Sequence, residues 1–308
     1  METQFISNRN GQVNIILKEK NTSHLTYTEK KAMNKKNNPF NHIDEAFASF
    51  VGMKQLKERI KEIYATVVIN EKRKQFGLVN HEQVLHMLFK GNPGTGKTTV
   101  ARKLAKLYYD MNLLSKGHFI EAERADLVGE YIGQTAQKTR SIIQKAQGGV
   151  LFIDEAYSLA RGGEKDFGKE AIDTLVKHME DYQHDFVLIL AGYPYEMERF
   201  LTLNPGLESR FPFILDFRDY EAGELLSIAK RMAADREYQL TKDAEIELKA
   251  HLIKKTRTNN RNFSNARYVR NVVESAIRMH AVRLLKNEHF TTDDLIYLTI
   301  QDLQLKLN

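Results

Sequence analysis

Gly91-Asn92-Pro93-Gly94-Thr95-Gly96-Lys97-Thr98 stands between an apolar run, Val84–Phe89, and a segment with helical spacing, Val100–Tyr109. The octet satisfies the pattern Gly-x-x-x-x-Gly-Lys-Ser/Thr at every specified position. Glycines let successive backbone N–H groups turn inward around an anion, and the start of the following helix adds its positive end. Lys97 is then placed to reach the β- and γ-phosphates of a nucleotide, and Thr98 to offer its hydroxyl oxygen to Mg2+. Strand, loop and helix in this order point to an α/β domain with a mainly parallel sheet.

Further along, Gly149-Val150-Leu151-Phe152-Ile153-Asp154-Glu155 supplies a matching partner. Four apolar residues make a buried strand, and its carboxyl end presents two acids where ligands bind in α/β sheets. Asp154 is expected to hold Mg2+ through water, and Glu155 to orient and deprotonate the attacking water. Such a pair alone is as readily a surface turn; after a phosphate loop it points to hydrolysis rather than binding alone. ATP is the nucleotide expected. Thr241-Lys242-Asp243-Ala244 and Asn34-Lys35-Lys36-Asn37 both lack the final Asp of a guanine-reading Asn/Thr-Lys-x-Asp segment. Asp166-Phe167-Gly168 spells a kinase triplet, but no His-Arg-Asp or Gly-x-Gly-x-x-Gly accompanies it, and it is read as chance.

Around these motifs the chain alternates short apolar runs with helical stretches. The runs are Val84–Phe89, His118–Ile120, Val150–Ile153, Phe186–Ala191 and Phe213–Phe217. This rhythm predicts a three-layer α/β/α domain with five mainly parallel strands. Leu56, Ile60, Ile63, Tyr64 and Val67 predict an amphipathic helix after Val51-Gly52. Beyond Arg218 the strand signals stop, and residues 221–237, 243–256, 266–286 and 292–305 read as a small all-helical domain. Thr291 with Asp294 forms a capping box for the last of them. The expected partition is an arm at 1–40, the α/β domain at 41–218 and the helical domain at 219–308.

Composition sets the outer bounds. The chain has 308 residues, a net charge of +6 and no cysteine, which excludes a disulfide framework, a zinc finger, an iron–sulfur site and a Cys nucleophile. Its ten histidines include no His-Glu-x-x-His. No apolar run is long enough to cross a bilayer, and Met1-Glu2-Thr3-Gln4 opens no signal-peptide core, so a cytoplasmic protein without membrane insertion is expected. Residues 1–40 carry seven Lys or Arg against three Glu and read as a flexible basic arm. One short strand is possible within it at Gln12–Leu17, after the Asn10-Gly11 turn signal. The glycosylation triplets at Asn21 and Asn262 are taken as chance.

The two nucleotide motifs, in this order and ahead of a helical domain, resemble the AAA+ ATPases over roughly residues 41–305. Phe50-Val51-Gly52-Met53, Ala125–Gln134, Phe152–Leu159 and Ala191-Gly192-Tyr193-Pro194 are similar to the branch that holds the red-type Rubisco activase and a bacterial sporulation ATPase, the latter being the nearer. The resemblance implies a homo-oligomeric ring, usually hexameric, with ATP bound between neighbours. It implies Asn92, Pro93, Gly94, Thr95, Gly96, Lys97, Thr98 and Thr99 at the ATP phosphates, and Val51 and Gly52 at adenine. Arg210 matches the arginine finger that reaches the next subunit's γ-phosphate, and Arg267, with Arg270 as a rival, matches the lid arginine called sensor 2. The polar sensor-1 residue common in the family is missing from Leu190–Pro194, where Tyr193 offers only its hydroxyl.

Tyr131-Ile132-Gly133 matches the family's first pore loop, and an aromatic ring with a branched chain on a Gly-flanked loop grips extended peptide without reading its sequence. Arg161–Asp166 fits a second, mixed-charge loop. The function expected is therefore an ATP-driven ring motor that remodels or threads a protein client, in bacterial spore formation as the resemblance implies. Two alternatives remain: a DNA-acting ATPase of the clamp-loader or branch-migration kind, and a nucleotide-switched scaffold. Glu130 beside Tyr131 weighs against nucleic acid, because a phosphate-gripping loop calls for Lys or Arg.

Overall fold

In a computed structural model, residues 2–7, 13–18, 38–79, 83–131, 133–162, 166–204, 206–257, 263–286 and 289–305 are described. Residues 1–45 and 46–308 form two contact units. In the first, β1 (Glu2–Ser7) and β2 (Val13–Lys18) pair antiparallel, with Ser7 opposite Val13. The strand expected at Gln12–Leu17 is thus present one residue later, and it has a partner strand that the reading of a flexible arm did not anticipate. The triplets at Asn21 and Asn262 lie outside the described residues.

The second unit is built on five parallel strands: β3 (Met87–Gly91), β4 (Phe119–Ala122), β5 (Val150–Ile153), β6 (Val187–Gly192) and β7 (Phe213–Phe217), in the spatial order β4-β5-β6-β3-β7. β5 and β6 are buried along their whole length, which is why they read as unbroken apolar runs rather than alternating ones. The chain leaves β3 for the far edge at β4, returns through β5 and β6, and adds β7 on the other side of β3. The carboxyl ends of β5, β6 and β3 therefore lie side by side, and that is where an open α/β sheet offers a crevice. Helices Gln134–Ala146, Gly168–Asp181 and Pro194–Leu203 close one face through Ile143, Leu175, Met179 and Phe200 on Leu151, Ile153, Leu188 and Leu190.

β3 starts at Met87, not at the expected Val84. The ring of His86 accepts the Leu188 N–H on Nδ1 at 3.0 Å, a donor that a strand carbonyl would otherwise take. Its Nε2 faces the Met179 carbonyl at 3.4 Å, and Phe186 and Phe211 pack around the ring.

The lid that follows packs helices Ala222–Ala234, Lys242–Arg257 and Asn265–Leu285 around Leu225, Leu248, Leu252, Val269 and Val273. Ala229, Ala233, Ala244 and Ala276 sit between them with no exposure, small enough to let the backbones close. The fourth helix expected at 292–305 is not continuous. It runs only from Thr292 to Ile296, after which β9 (Tyr297–Leu298) pairs parallel with β8 (Gln239–Leu240) and Ile300–Asp302 forms a 3-10 turn. The Thr291–Asp294 capping box is present as expected. A second box, Thr299 with Asp302, restarts the chain, and buried Asp302 takes Arg283 through Nε at 2.8 Å and Nη2 at 2.9 Å. Burial pushes the Asp302 carboxyl up, but Arg283 and the Thr299 N–H and hydroxyl outweigh that and hold it below its usual range. Removing one member of such a pair costs about 3–5 kcal/mol, because the other is left buried without its partner.

Burial lowers the His86 pKa to about 4, with only partial opposition from the Met179 carbonyl. The folded state therefore keeps the ring neutral, and stability that is complete above the unfolded value of 6.5 is lost as pH falls toward 4. At pH 5 the loss amounts to about 2 kcal/mol. Urea unfolding at pH 7 and pH 5 should show the wild type losing about 2 kcal/mol more than His86→Gln over that interval; equal losses would contradict this account.

Candidate active site

Three strand ends and the lid enclose one cavity of about 560 Å3. From the loop after β3 come Pro93, Gly94, Gly96, Lys97, Thr98 and Thr99. From the ends of β5 and β6 come Asp154, Glu155 and Tyr193. Ser49, Phe50 and Val51 close it from the N-terminal side, and Ile228, Arg231, Met232, Asp235, Ala266, Arg267 and Arg270 from the lid.

Gly94 and Gly96 have φ of +70° and +99°, a region costly for any side chain. A Cβ on Gly94 would also collide with the Ser264 carbonyl and the Arg267 nitrogen of the lid. Ala266 N–H donates to the Gly94 carbonyl at 3.1 Å, and the Tyr220 hydroxyl donates to the Thr95 carbonyl at 3.1 Å. Lys97, whose residue is buried, donates from Nζ to the carbonyls of Gly91 at 2.7 Å and Asn92 at 3.1 Å. Burial draws its pKa below the usual ammonium value; Asp154 and Glu155 oppose this and Arg267 adds to it.

Glu155 has φ +46°, a left-handed conformation forced on a non-glycine residue at the end of a buried strand, and its N–H donates to Asp154 Oδ1 at 2.9 Å. Both acids line the cavity on the side of Lys97. The Tyr193 ring lies 5.7 Å from Lys97 Nζ; burial, then Glu155 and Asp154, raise its pKa, so the hydroxyl remains a donor. A cavity with an ammonium, helix-start amides, a hydroxyl and two carboxylates suits a magnesium polyphosphate. Thr98 and Asp154 are the oxygen donors that would suit such an ion.

Val51 reaches the cavity, whereas Gly52 (φ +66°) makes the turn behind it, its α-carbon against the Glu224 carboxylate. Arg267 and Arg270 both line the cavity, so the structure does not separate the two rivals. Arg210 does not line it. It sits on a turn, Glu208–Arg210, paired with Glu180 and donating to the Gly206 carbonyl. Tyr131 is 68% exposed, and its carbonyl accepts the Gln134 N–H at 3.2 Å. Gly133, at φ +84°, caps the helix that follows, while Ile132 and Pro205 lie outside the described residues. Of the second loop, Gly163–Lys165 lie outside them too; Asp166 pairs with Arg124 at 2.6 Å and accepts the Gly168 N–H, so the chance triplet serves as a helix start.

Sequence reasoning missed the apolar wall made by Ile228 and Met232. Their i, i+4 spacing on the helix Ala222–Ala234 was a usable signal. Asp219 and Asn265, which join the phosphate loop to the lid, carried no pattern at all.

Fold and cavity together define a P-loop nucleotide hydrolase with a helical lid. Residues 87–219 match the ATPase family associated with various cellular activities (AAA), and residues 221–308 match the AAA lid domain. Stage V sporulation protein K of Bacillus subtilis is 56% identical, covering 99% of this chain and 98% of that protein. The chloroplastic ribulose bisphosphate carboxylase/oxygenase activase of Cyanidioschyzon merolae is 42% identical, covering 85% and 89%. The chain belongs to the AAA+ ATPases and is an ATP-hydrolysing enzyme. The solved FIGL-1 AAA domain in complex with ADP shares the fold, with a TM-score of 0.54 at 20% identity over 83% of this chain and 81% of that one. Among the described residues, no helix is long and apolar enough to cross a membrane.

Gly94→Ala should weaken binding of a fluorescent ADP by about tenfold or more. Gly77→Ala places the same strain at φ +69° with nothing within 4 Å, and should leave that affinity unchanged. Equal effects from the two would refute the close approach of the lid as the reason for Gly94.

Proposed function

We propose that this ATPase assembles as a cytoplasmic ring, six-fold by analogy with its family, and uses ATP to remodel or thread a protein client. The observation that carries the reading is the Tyr131 side chain, 68% exposed and beside an acid, Glu130, rather than a base. An aromatic so placed grips peptide through its ring face. Spore formation is proposed as the setting because of the sporulation relative, and a protein as the client because another relative is named for activating an enzyme. The partition into arm (1–40), ATPase domain (41–218) and lid (219–308) belongs to the same reading.

In the proposed mechanism, the loop Asn92–Thr99 wraps the phosphates with its amides, and Lys97 leaves the Gly91 and Asn92 carbonyls for the β- and γ-phosphates. Thr98, and Asp154 through water, would hold Mg2+, which would supply neutralising charge at the leaving phosphates. Glu155 takes a proton from the attacking water. Tyr193 donates a hydrogen bond beside them. Val51 with Ile228 and Met232 sandwiches adenine, with Gly52 shaping the turn. Arg267, with Arg270 beside it, senses phosphate from the lid. Arg210 gives up Glu180 and crosses to the next subunit's γ-phosphate, an effect worth about 10³–10⁵ in rate in other phosphoryl transfers. Closure between subunits then turns the lid and moves Tyr131, Ile132 and Gly133 along the ring axis.

Glu155→Gln should assemble with ATP yet hydrolyse it about 100-fold or more slowly. Trapped with ATP, it should hold a protein client that Tyr131→Ala, in the same background, releases. Turnover near the wild-type rate would overturn the role of Glu155. Hydrolysis stimulated by duplex DNA, falling steeply with salt and surviving Tyr131→Ala, would replace the protein client with nucleic acid.

A further inference from the structure

Asp219 joins three parts of the molecule that the ATPase cycle must move relative to one another. It follows β7, where the chain crosses from the sheet to the lid. Its two carboxylate oxygens accept from Asn92 Nδ2 of the phosphate loop at 3.0 and 2.9 Å, and Oδ1 also accepts from Asn265 Nδ2 at 2.7 Å. A carboxylate presents acceptor oxygens only, so it suits two carboxamide donors, and charge-assisted bonds of this kind are roughly twice as strong as neutral ones.

Each carboxamide in turn commits a group that faces the cavity. The Asn92 carbonyl accepts from Lys97 Nζ and from the Thr95 hydroxyl. Asn265 has no exposed surface and a left-handed backbone (φ +46°), a conformation its side chain stabilises by accepting the Tyr220 N–H at 3.0 Å and donating toward the Pro93 carbonyl. The residue after it, Ala266, donates to Gly94, and the next is Arg267. The carboxylate therefore sits one residue from the hold on Lys97 and two from Arg267, without reaching the cavity itself.

We infer that Asp219 is a positioning residue: by pinning Asn265 it aims Arg267 into the cavity, and by pinning Asn92 it makes that aim depend on the shape of the phosphate loop. This rests on the proposed phosphate-sensing role of Arg267. A lid held in this way distinguishes ATP from ADP, because the γ-phosphate alters the loop to which the lid is tied.

The test is calorimetric titration of ATP and ADP in the Glu155→Gln background, where turnover is suppressed, comparing Asp219→Ala, Arg267→Ala and the double variant. Arg267→Ala should lower the ATP-over-ADP preference about tenfold. Asp219→Ala should lower it several-fold while changing ADP affinity little, and the double variant should be no worse than Arg267→Ala alone. Asp219→Asn, which keeps one acceptor oxygen and the side-chain shape, should fall between wild type and Asp219→Ala, and it carries the test if the alanine variant does not fold. An Arg267→Ala effect with Asp219→Ala silent, equal on both nucleotides, or multiplying in the double variant overturns the inference alone. An Arg267→Ala variant with unchanged preference overturns the arginine's assignment and this inference with it.

Discussion

Ala266 donates its N–H to the carbonyl of Gly94, so the first turn of the lid's long helix rests on the phosphate loop itself. The contact is possible only because Gly94 lacks a side chain: the Ser264 and Arg267 backbones occupy the space that a Cβ would need. The lid is thereby fastened to the element that the nucleotide must reshape, and the remaining contacts repeat the theme. The Tyr220 hydroxyl holds Thr95, Arg231 holds the Ser49 carbonyl, and Met53 packs into the lid core. In the proposed cycle, a change at the loop is passed to the lid through these contacts.

The sheet supplies what must stay still. β5, β6 and β3 are adjacent and buried, so Asp154, Glu155 and Tyr193 are carried on a frame that cannot shift without opening the core. In this proposed division of labour the acids and Tyr193 belong to the rigid layer, Arg267 and Arg270 to the moving one, and Lys97 to the loop between. Arg210 lies outside the cavity of its own subunit, tied to Glu180. In the proposed ring a guanidinium so placed would act on a phosphate across a subunit boundary, which is why hydrolysis and assembly are proposed as one event.

Much of this was legible in the sequence, for reasons that also explain the omissions. The phosphate loop reads clearly because glycine is the residue that tolerates positive φ at Gly94 and Gly96. The strands read clearly because burial on both faces demands unbroken apolar runs. The Thr291 box marked a helix start, but nothing in the periodicity showed that this helix stops at Ile296, where the chain passes into β9 and a second capping box at Thr299. β3 began late because one histidine ring replaced a backbone acceptor. The Asn92–Asp219–Asn265 cluster was invisible for a related reason: polar contacts between residues far apart in the chain leave no spacing to detect. The arm's first strand, β1, was passed over although Asn10-Gly11 had flagged a turn beside it.

The central claim is that nucleotide state sets the angle between the sheet and the lid. Because the chain has no cysteine, Tyr109→Cys on the helix after the phosphate loop and Ile246→Cys on the lid, both at exposed positions, would carry a pair of spin labels at two defined sites. The distance distribution between them should differ between ADP and a non-hydrolysable ATP analogue, shifting as one narrow population to another. Identical distributions in the two nucleotides would contradict the account.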